Sequence, residues 1–389
     1  MSLLLNQPSQ LCLRRPVLVR ASPHVSNGSS ASLPQTPPCA IIGATPCGAG
    51  LGKPNFVYLS SEDSAYKHLE KKVPLELVYN HVNPWLAHLF KEESEKQASD
   101  VTDAMVTVGL SHGWVATLKD GTLRLQDDLN PAASDSDPKR ISLPPLVTLL
   151  HCQTQIVTNV AMSSPSPYEE DCVVAAKFLG PQLSFCRPGQ SNSQWTNVRI
   201  ENPCFFSSQV MYSKKHDMFR MPRSGGHLIG SWDLHKHNHT LKLQKLRYQD
   251  LPELTKTKRE LLISCSTSEH LVESQSTGET FLLKWYKKIA EIIDGAANTE
   301  TKALMVFKLD EEGNAVYTED IGDLAIFLSK SEPFCVPTSS FPGVVPNEVT
   351  ILDDNEIVQV NMTHSSLISS IVRVRLPYHI SPQKLYSWN

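Results

Sequence analysis

A serine and a histidine stand side by side at Ser111 and His112, in the segment VGLSHGWVATLKDGTLRL. These residue types supply the nucleophile and the base of many hydrolases. Neighbours in sequence seldom align as such a pair, however, and the chain has no G-x-S-x-G elbow. Gly113 supplies backbone freedom, and Trp114 has the apolar bulk of a core residue. The segment therefore predicts a tight turn into a β-strand of an all-β fold, with Ser111 or His112 bonded to turn amides.

Three histidines alternate in the segment His235-Lys236-His237-Asn238-His239. On a strand they would share one face and could present three imidazoles to zinc or nickel. The segment lacks a cysteine or carboxylate to complete the metal shell, which favours a polar connecting loop. The chain has nine cysteines, none in a C-x-x-C pair, and this indicates buried thiols in a reducing compartment.

Carboxylates cluster at residues 320–323 and at Asp353-Asp354. Paired acids that face a common channel are the groups used for glycoside chemistry, so a hydrolase or lyase is one alternative. The segment Ile321-Gly322-Asp323 also predicts a turn or short cap, in which Asp323 accepts hydrogen bonds from backbone donors.

Short basic clusters occur at Lys214-Lys215, at residues 256–259 and at Lys287-Lys288. Such clusters are typical of a solvated surface, although the run Trp285-Tyr286-Lys287-Lys288 is compatible with weak RNA binding. The segment GAGLGK resembles a phosphate-binding loop, but Cys47 and Pro54 replace its required glycine and hydroxyl residue. We therefore predict no catalytic, cofactor-binding or metal-binding residue and no cofactor.

The elements that would position these groups are short strands. The chain has 389 residues, 40% of them hydrophobic and 20% charged, with a net charge of −4. This balance fits a globular core and gives no global attraction to nucleic acid, and no apolar run approaches the roughly 18 residues of a membrane span. Strand-like runs follow one another from MVTVGL to EVTILDD (348–354), and Asp120-Gly121 is a strong hairpin signal.

The density of strands, without long alternating helices, predicts an all-β propeller of six or seven blades. Two early segments, 64–72 and 74–90, predict short helices, and the charged stretch from Lys287 to Thr301 predicts an interblade or interstrand insertion. We assign residues 31–55 to a Pro/Gly-rich linker and residues 56–389 to the propeller.

Residues 1–30 have the composition of an organellar transit peptide. They contain Arg14, Arg15 and Arg20 among many serines and leucines, and the first acidic residue of the chain is Glu62. Their Pro and Ser content predicts a leader without fixed structure. Arginine favours mitochondria over chloroplasts, so we predict mitochondrial import, with chloroplast or cytosol and nucleus as alternatives.

Several segments together resemble the plant domain-of-unknown-function 295 family, the F-box-associated or KIB-type β-propeller proteins. The match runs in order from about residue 40 to residue 360 and is carried by GLSHGWVATL, SLPPL (142–146), GPQLSFCRPGQSNSQWTNV (180–198), MYSKKHDMF (211–219), SWDLH (231–235), HLVESQSTGETFLLKWY (270–286) and residues 306–349 with Asp353-Asp354. It is most similar to an organelle-targeted branch with a transit peptide in place of the F-box.

The resemblance implies a β-propeller and, for F-box members, the substrate-recognition arm of an SCF-type ubiquitin ligase. Here only VPLELVYNHV (73–82) faintly resembles the start of an F-box, and the C-terminal segment departs from the usual closing one, which predicts irregular ring closure. We therefore expect a non-enzymatic module that binds an unknown protein partner. The ubiquitin-ligase subunit and the channel-carboxylate enzyme are the alternatives, and the oligomeric state is left open.

Overall fold

The chain forms six small β-sheets arranged as a six-bladed propeller. The structure, a computed structural model, describes residues 35–58, 66–68, 71–79, 105–150, 152, 156–233, 241–293, 296–371, 374 and 376–385. The predicted leader (1–30) and the histidines at 235, 237 and 239 lie outside these residues. None of the described helices is long and apolar enough to cross a membrane.

Blade 1 joins the two ends of the chain. Its strands are β1 (Cys39–Gly48), β2 (Leu51–Tyr58), β3 (Tyr66–His68), β4 (Val73–Pro74) and, from the C-terminal part of the chain, β27 (Tyr378–Ile380). Strand β27 pairs antiparallel with β1, from Cys39 opposite Ile380 to Ile41 opposite Tyr378. A three-residue strand thus closes the ring.

The predicted linker over residues 31–55 is wrong where the structure describes it, because β1 and most of β2 lie there. The glycines form the β1–β2 turn, with φ angles of 94° at Gly48 and 71° at Gly50. The predicted helix at 64–72 is also wrong over Tyr66–His68, where β3 pairs with β2. Of the second predicted helix, α1 (Glu76–Tyr79) is present, and residues 80–90 lie outside the described part.

Blades 2, 3 and 4 are antiparallel four-stranded meanders, as the hairpin signals predict. Asp120 and Gly121 turn from one strand to the next with φ angles of 49° and 69°. The strands of these blades are β5 (Val106–Ser111), β6 (Trp114–Lys119), β7 (Thr122–Gln126), β8 (Arg140–Pro145), β9 (Val157–Met162), β10 (Val174–Phe178), β11 (Gln182–Cys186), β12 (Thr196–Arg199), β13 (Met211–Ser213), β14 (Met218–Pro222), β15 (Leu228–Trp232) and β16 (Leu241–Lys245).

Blade 5 contains a long hairpin. Its elements are β17 (Arg247–Gln249), α2 (Lys256–Ile263), β18 (Ser266–Glu273), β19 (Thr280–Ile293), β20 (Ala296–Leu309) and β21 (Asn314–Thr318), and β17 pairs parallel to β21. The β18 ladder ends where Ser266 faces Lys287, whereas the β19–β20 ladder continues to Ile293 and Ala296. The predicted insertion is therefore interstrand, built as an extension of these two strands.

Blade 6 departs from a simple meander. Its strands are β22 (Leu324–Leu328), β23 (Phe334–Pro337), β24 (Glu348–Leu352), β25 (Glu356–Asn361) and β26 (Ser366–Ile371), in the spatial order β23-β22-β24-β25-β26. Strand β22 is parallel to β24 because β23 turns back before the chain crosses to β24. This departure lies within blade 6, whereas the ring itself is closed by the antiparallel pairing of β27 with β1.

The hydrophobic core is divided among the spaces between blades. Trp114 and Leu125 of blade 2 pack with Val160 and Val174 of blade 3, and similar clusters join blades 3 and 4 and blades 5 and 6. Each fully buried apolar side chain contributes about 1.5–3 kcal/mol, so the packing between neighbouring blades holds the ring together.

Candidate functional site

The innermost strands of the blades meet around the axis of the ring. Neighbouring contacts run from β27 to β5, β9, β13, β18 and β23. Four of these strands end in Ser111, Met162, Ser213 and Glu273, and the loops after them form one face of the propeller. This face is where the structure concentrates polar side chains near the axis.

Glu332, in the loop between β22 and β23, links four blades. Its Oε1 accepts a hydrogen bond from Tyr212 N at 3.0 Å, and its Oε2 lies 2.5 Å from Ser111 Oγ, which donates to it. Its own N–H donates to Leu110 O at 2.8 Å, and Ser111 Oγ accepts from Met162 N at 3.2 Å. One carboxyl group thus ties blade 6 to blades 2 and 4, and through Ser111 to blade 3.

Burial raises the pKa of Glu332 to about 7, and the hydrogen bonds from Ser111 and Tyr212 oppose this rise. The residue as a whole is half-buried. Sequence reasoning sought channel carboxylates elsewhere and missed Glu332. The run SKSEPF offers no local signal, because its partners at Ser111 and Tyr212 are 221 and 120 positions away.

A second polar cluster contains the residue types of a hydrolase triad. His216 Nδ1 lies 2.9 Å from Ser213 Oγ, and His216 Nε2 lies 3.4 Å from Glu311 Oε2. Ser213 is completely buried, however, and its hydroxyl donates to Glu273, which also accepts from Lys215 N at 2.9 Å. A buried serine held in this way cannot attack a substrate, so these groups fix the β13–β14 turn.

The predicted turn at Ser111–Trp114 is confirmed. His112 and Gly113 have φ angles of 49° and 81°, and Trp114 is buried between blades 2 and 3. Ser111 bonds to Met162 and Glu332 of other blades, whereas the expected partner was an amide of its own turn. Burial lowers the pKa of His112 to about 4, so its imidazole is neutral at physiological pH.

The aspartates of the channel-enzyme alternative do not share a site. Asp323 precedes β22 and accepts from Ser339 N at 3.2 Å, which confirms its predicted role as a cap. Asp353 and Asp354 follow β24, and because β24 is parallel to β22 they lie at the opposite end of this pair. They pair with Lys287 at 3.1 Å and with Lys330 at 2.7 Å.

The aromatic and basic run at 285–288 is partly internal. Trp285 is buried between blades 5 and 6, and Lys287 Nζ lies 4.1 Å from the centre of its ring while pairing with Asp353. Burial raises the pKa of Asp353, but Lys287 and Lys330 together hold it below its usual range. Within the described residues, no group of three or more His, Cys, Asp or Glu side chains is arranged to hold a metal ion.

An apolar groove lies on the flank of blade 5, where α2 packs against β19 and β20. Thr255 caps α2 by accepting from Lys258 N at 3.2 Å, and Leu262 turns into the core. The groove has a volume of about 310 Å³, and Ile263 and Leu251 are 78% and 59% exposed at its rim. Its lining is Leu251, Pro252, Leu254, Arg259, Leu262, Ile263, Tyr286 and Met305.

A family model, the KIB1-4 β-propeller, matches residues 88–368 of the 389. The chain belongs to this family. This confirms the KIB-type part of the resemblance drawn from the sequence.

Among solved structures, the chain is similar to the β-propeller domain of Myceliophteria thermophila Cps50 (Swd1), at 11% sequence identity and a TM-score of 0.31. That likeness covers 68% of this chain and 88% of the other. The comparison with curated proteins found no match.

Proposed function

We propose that this KIB-type propeller is a non-enzymatic protein-binding module that acts in mitochondria, and that it binds its partner through the blade 5 groove. The proposal rests on the exposure of Ile263 and Leu251 around an apolar cavity, because contiguous exposed apolar surface is typical of protein-binding sites. Near the axis, the carboxylates of Glu332 and Glu273 already accept hydrogen bonds from Ser111 and Ser213, which leaves the flank as the better candidate for binding.

The chemistry of the groove indicates what the partner presents. Its walls would take a large apolar side chain, such as leucine or phenylalanine. Lys258 and Arg259 lie exposed on α2, and no described carboxylate forms an ion pair with either of them. We therefore expect the apolar anchor of the partner to be flanked by an acidic residue, which would pair with Arg259 at the rim.

Proximity labelling in cells tests this proposal. The full-length protein is compared with Ile263→Glu, which places a charge at the groove, and with Leu150→Glu as the control. Leu150 is 84% exposed in the loop between β8 and β9, so its substitution adds the same charge away from the groove. We expect a set of labelled proteins that is lost with Ile263→Glu and kept with Leu150→Glu.

Binding with purified candidates from that set then gives the affinity, and Ile263→Glu should weaken it by roughly tenfold or more. Equal labelling by both variants would contradict the groove as the binding site. Recovery of a Skp-type adaptor, unchanged by Ile263→Glu, would instead favour the ubiquitin-ligase alternative.

Placement in mitochondria is supported by the leader alone. The first described strand begins at Cys39, so the arginine-rich residues 1–30 precede the blades. Removing or altering them should therefore change the destination of the protein without changing the propeller.

A further inference from the structure

Strand β26 forms the outer edge of blade 6. Its six residues pair with β25 in unbroken register, from Ser366 opposite Asn361 to Ile371 opposite Glu356. Among the described residues, no strand other than β25 pairs with β26. The outward backbone N–H and C=O groups of this strand are therefore open to another strand.

The sequence of β26, SLISSI, has none of the features that protect an edge strand. It has no charge and no proline, and its pairing contains no bulge. The outer strands of the other blades are protected in these ways: β8 carries Arg140, Pro144 and Pro145, β12 has four residues with Arg199, β16 carries Lys242 and Lys245, β17 has three residues with Arg247, and β3 and β4 have three and two residues.

The two faces of β26 differ. Leu367 packs against the core between blades 5 and 6, and Ser369 Oγ donates to buried Glu356 at 3.0 Å. Because side chains alternate along a strand, Ser366, Ile368 and Ser370 lie on the other face. Ile368 is 63% exposed there, with an exposed serine two positions away on each side.

We propose that β26 pairs antiparallel with β26 of a second copy of this chain, centred on Ile368. This register places Ile368 opposite Ile368 and Ser366 opposite Ser370, so an apolar pair forms between small polar pairs. In a two-fold contact each strand meets its own copy. An edge strand with Lys or Arg would therefore bring like charges together, whereas the uncharged β26 would not. A second copy of this chain therefore fits this edge better than a charged segment of another protein.

The symmetry of this contact limits the assembly to two chains. Among its described strands, each chain has one such edge, and a two-fold contact occupies it, so association stops at a dimer. The contact of one six-residue strand is small, so we expect a weak, concentration-dependent dimer.

Sedimentation velocity of the full-length protein over a wide range of concentrations tests this inference. We expect a monomer–dimer equilibrium without larger species. Ile368→Lys should raise the dissociation constant by roughly tenfold or more, because two lysines would face each other across the two-fold axis. The control Leu243→Lys changes an apolar residue of similar exposure, 53%, on the edge strand β16, and should leave the dimer intact.

Mixing Ile368→Lys with Ile368→Glu should restore a dimer of one copy of each, because opposite charges then face each other at the centre. The thermal midpoints of both variants should match that of the wild type, since Ile368 is exposed. A wild type that stays monomeric, a dimer that survives Ile368→Lys, or an edge that binds only an extended segment of another protein would each overturn the proposal.

Discussion

At the scale of single residues, the side chains that link the blades near the axis are those whose partners lie far away in sequence. The turn at His112-Gly113 is predictable because glycine tolerates the left-handed backbone that such a turn needs. Glu332 is not predictable, because its environment exists only once blades 2, 4 and 6 have closed around the axis.

Replacement of Glu332 by Gln tests the role of this carboxyl group. The folded pKa of about 7 lies above the ordinary value of 4.5, so the folded state holds a proton that the unfolded state releases between these pH values. The stability that protonated Glu332 contributes is therefore fully present below about pH 4.5 and is lost as the pH rises through about 7. Glu332→Gln should remove this fall, because the amide stays neutral.

The size of the effect follows from the shift. At 1.36 kcal/mol per pKa unit the full shift corresponds to about 3 kcal/mol, and solvent screening of a residue that is only half-buried reduces it to roughly 2 kcal/mol. Chemical denaturation at pH 4.5 and pH 8 measures the difference. Glu311→Gln is the control, because Glu311 is exposed and bonded to Lys215, which lowers its pKa. Parallel pH profiles for the wild type and Glu332→Gln would contradict the prediction.

At the scale of elements, strands joined by short turns are predictable, and strands whose partners are distant are not. Asp120-Gly121 sets the β6–β7 hairpin by itself. The segment that forms β1 and β2 instead reads as a Pro/Gly-rich linker, because its hairpin contains several prolines and glycines and the second partner of β1, strand β27, comes some 340 positions later. The parallel pairing of β22 with β24 is not predictable either, because β23 lies between the two strands in sequence and pairs with β22 as well.

Two glycines in equivalent turns separate the cost of backbone strain from the cost of a steric clash, because only one of them has close neighbours. Gly113 and Gly121 both follow a residue with φ of 49°, and both have positive φ angles themselves. A Cβ at Gly121 would meet nothing within 4 Å, whereas at Gly113 it would lie 2.7 Å from Gln383 Oε1 and 2.8 Å from Asn130 Nδ2. Gly121→Ala should cost about 1 kcal/mol and Gly113→Ala about 2 kcal/mol. Urea unfolding measures both, and equal costs would show that the neighbouring side chains move aside freely.

At the scale of the whole molecule, the stability of the ring depends on β27 holding blade 1 closed. Tyr378 is 1% exposed and packs with Cys39, Ile41 and Phe56. Tyr378→Ala should therefore destabilise the protein by about 3–5 kcal/mol, the range for large buried aromatics. Tyr168→Ala is the control, because Tyr168 is 55% exposed at the edge of Trp114 and its loss should cost below about 1 kcal/mol. Equal midpoints of urea unfolding for the two variants would contradict a closing role for β27.

The proposed compartment is also a property of the whole molecule, since the proposed leader (1–30) precedes the first described strand in sequence. Residues 1–30 fused to a fluorescent protein should carry it into mitochondria, because Arg14, Arg15 and Arg20 are drawn inward by the membrane potential. That force is worth about 2.3 kcal/mol per charge per 100 mV for a full crossing.

In the full-length protein, changing all three arginines to glutamate should abolish import and leave the thermal midpoint unchanged, because strand β1 begins only at Cys39. Changing them to lysine keeps the charge and should keep import. Import of the glutamate variant would contradict the electrostatic mechanism, and delivery of the fusion to chloroplasts would contradict the mitochondrial address.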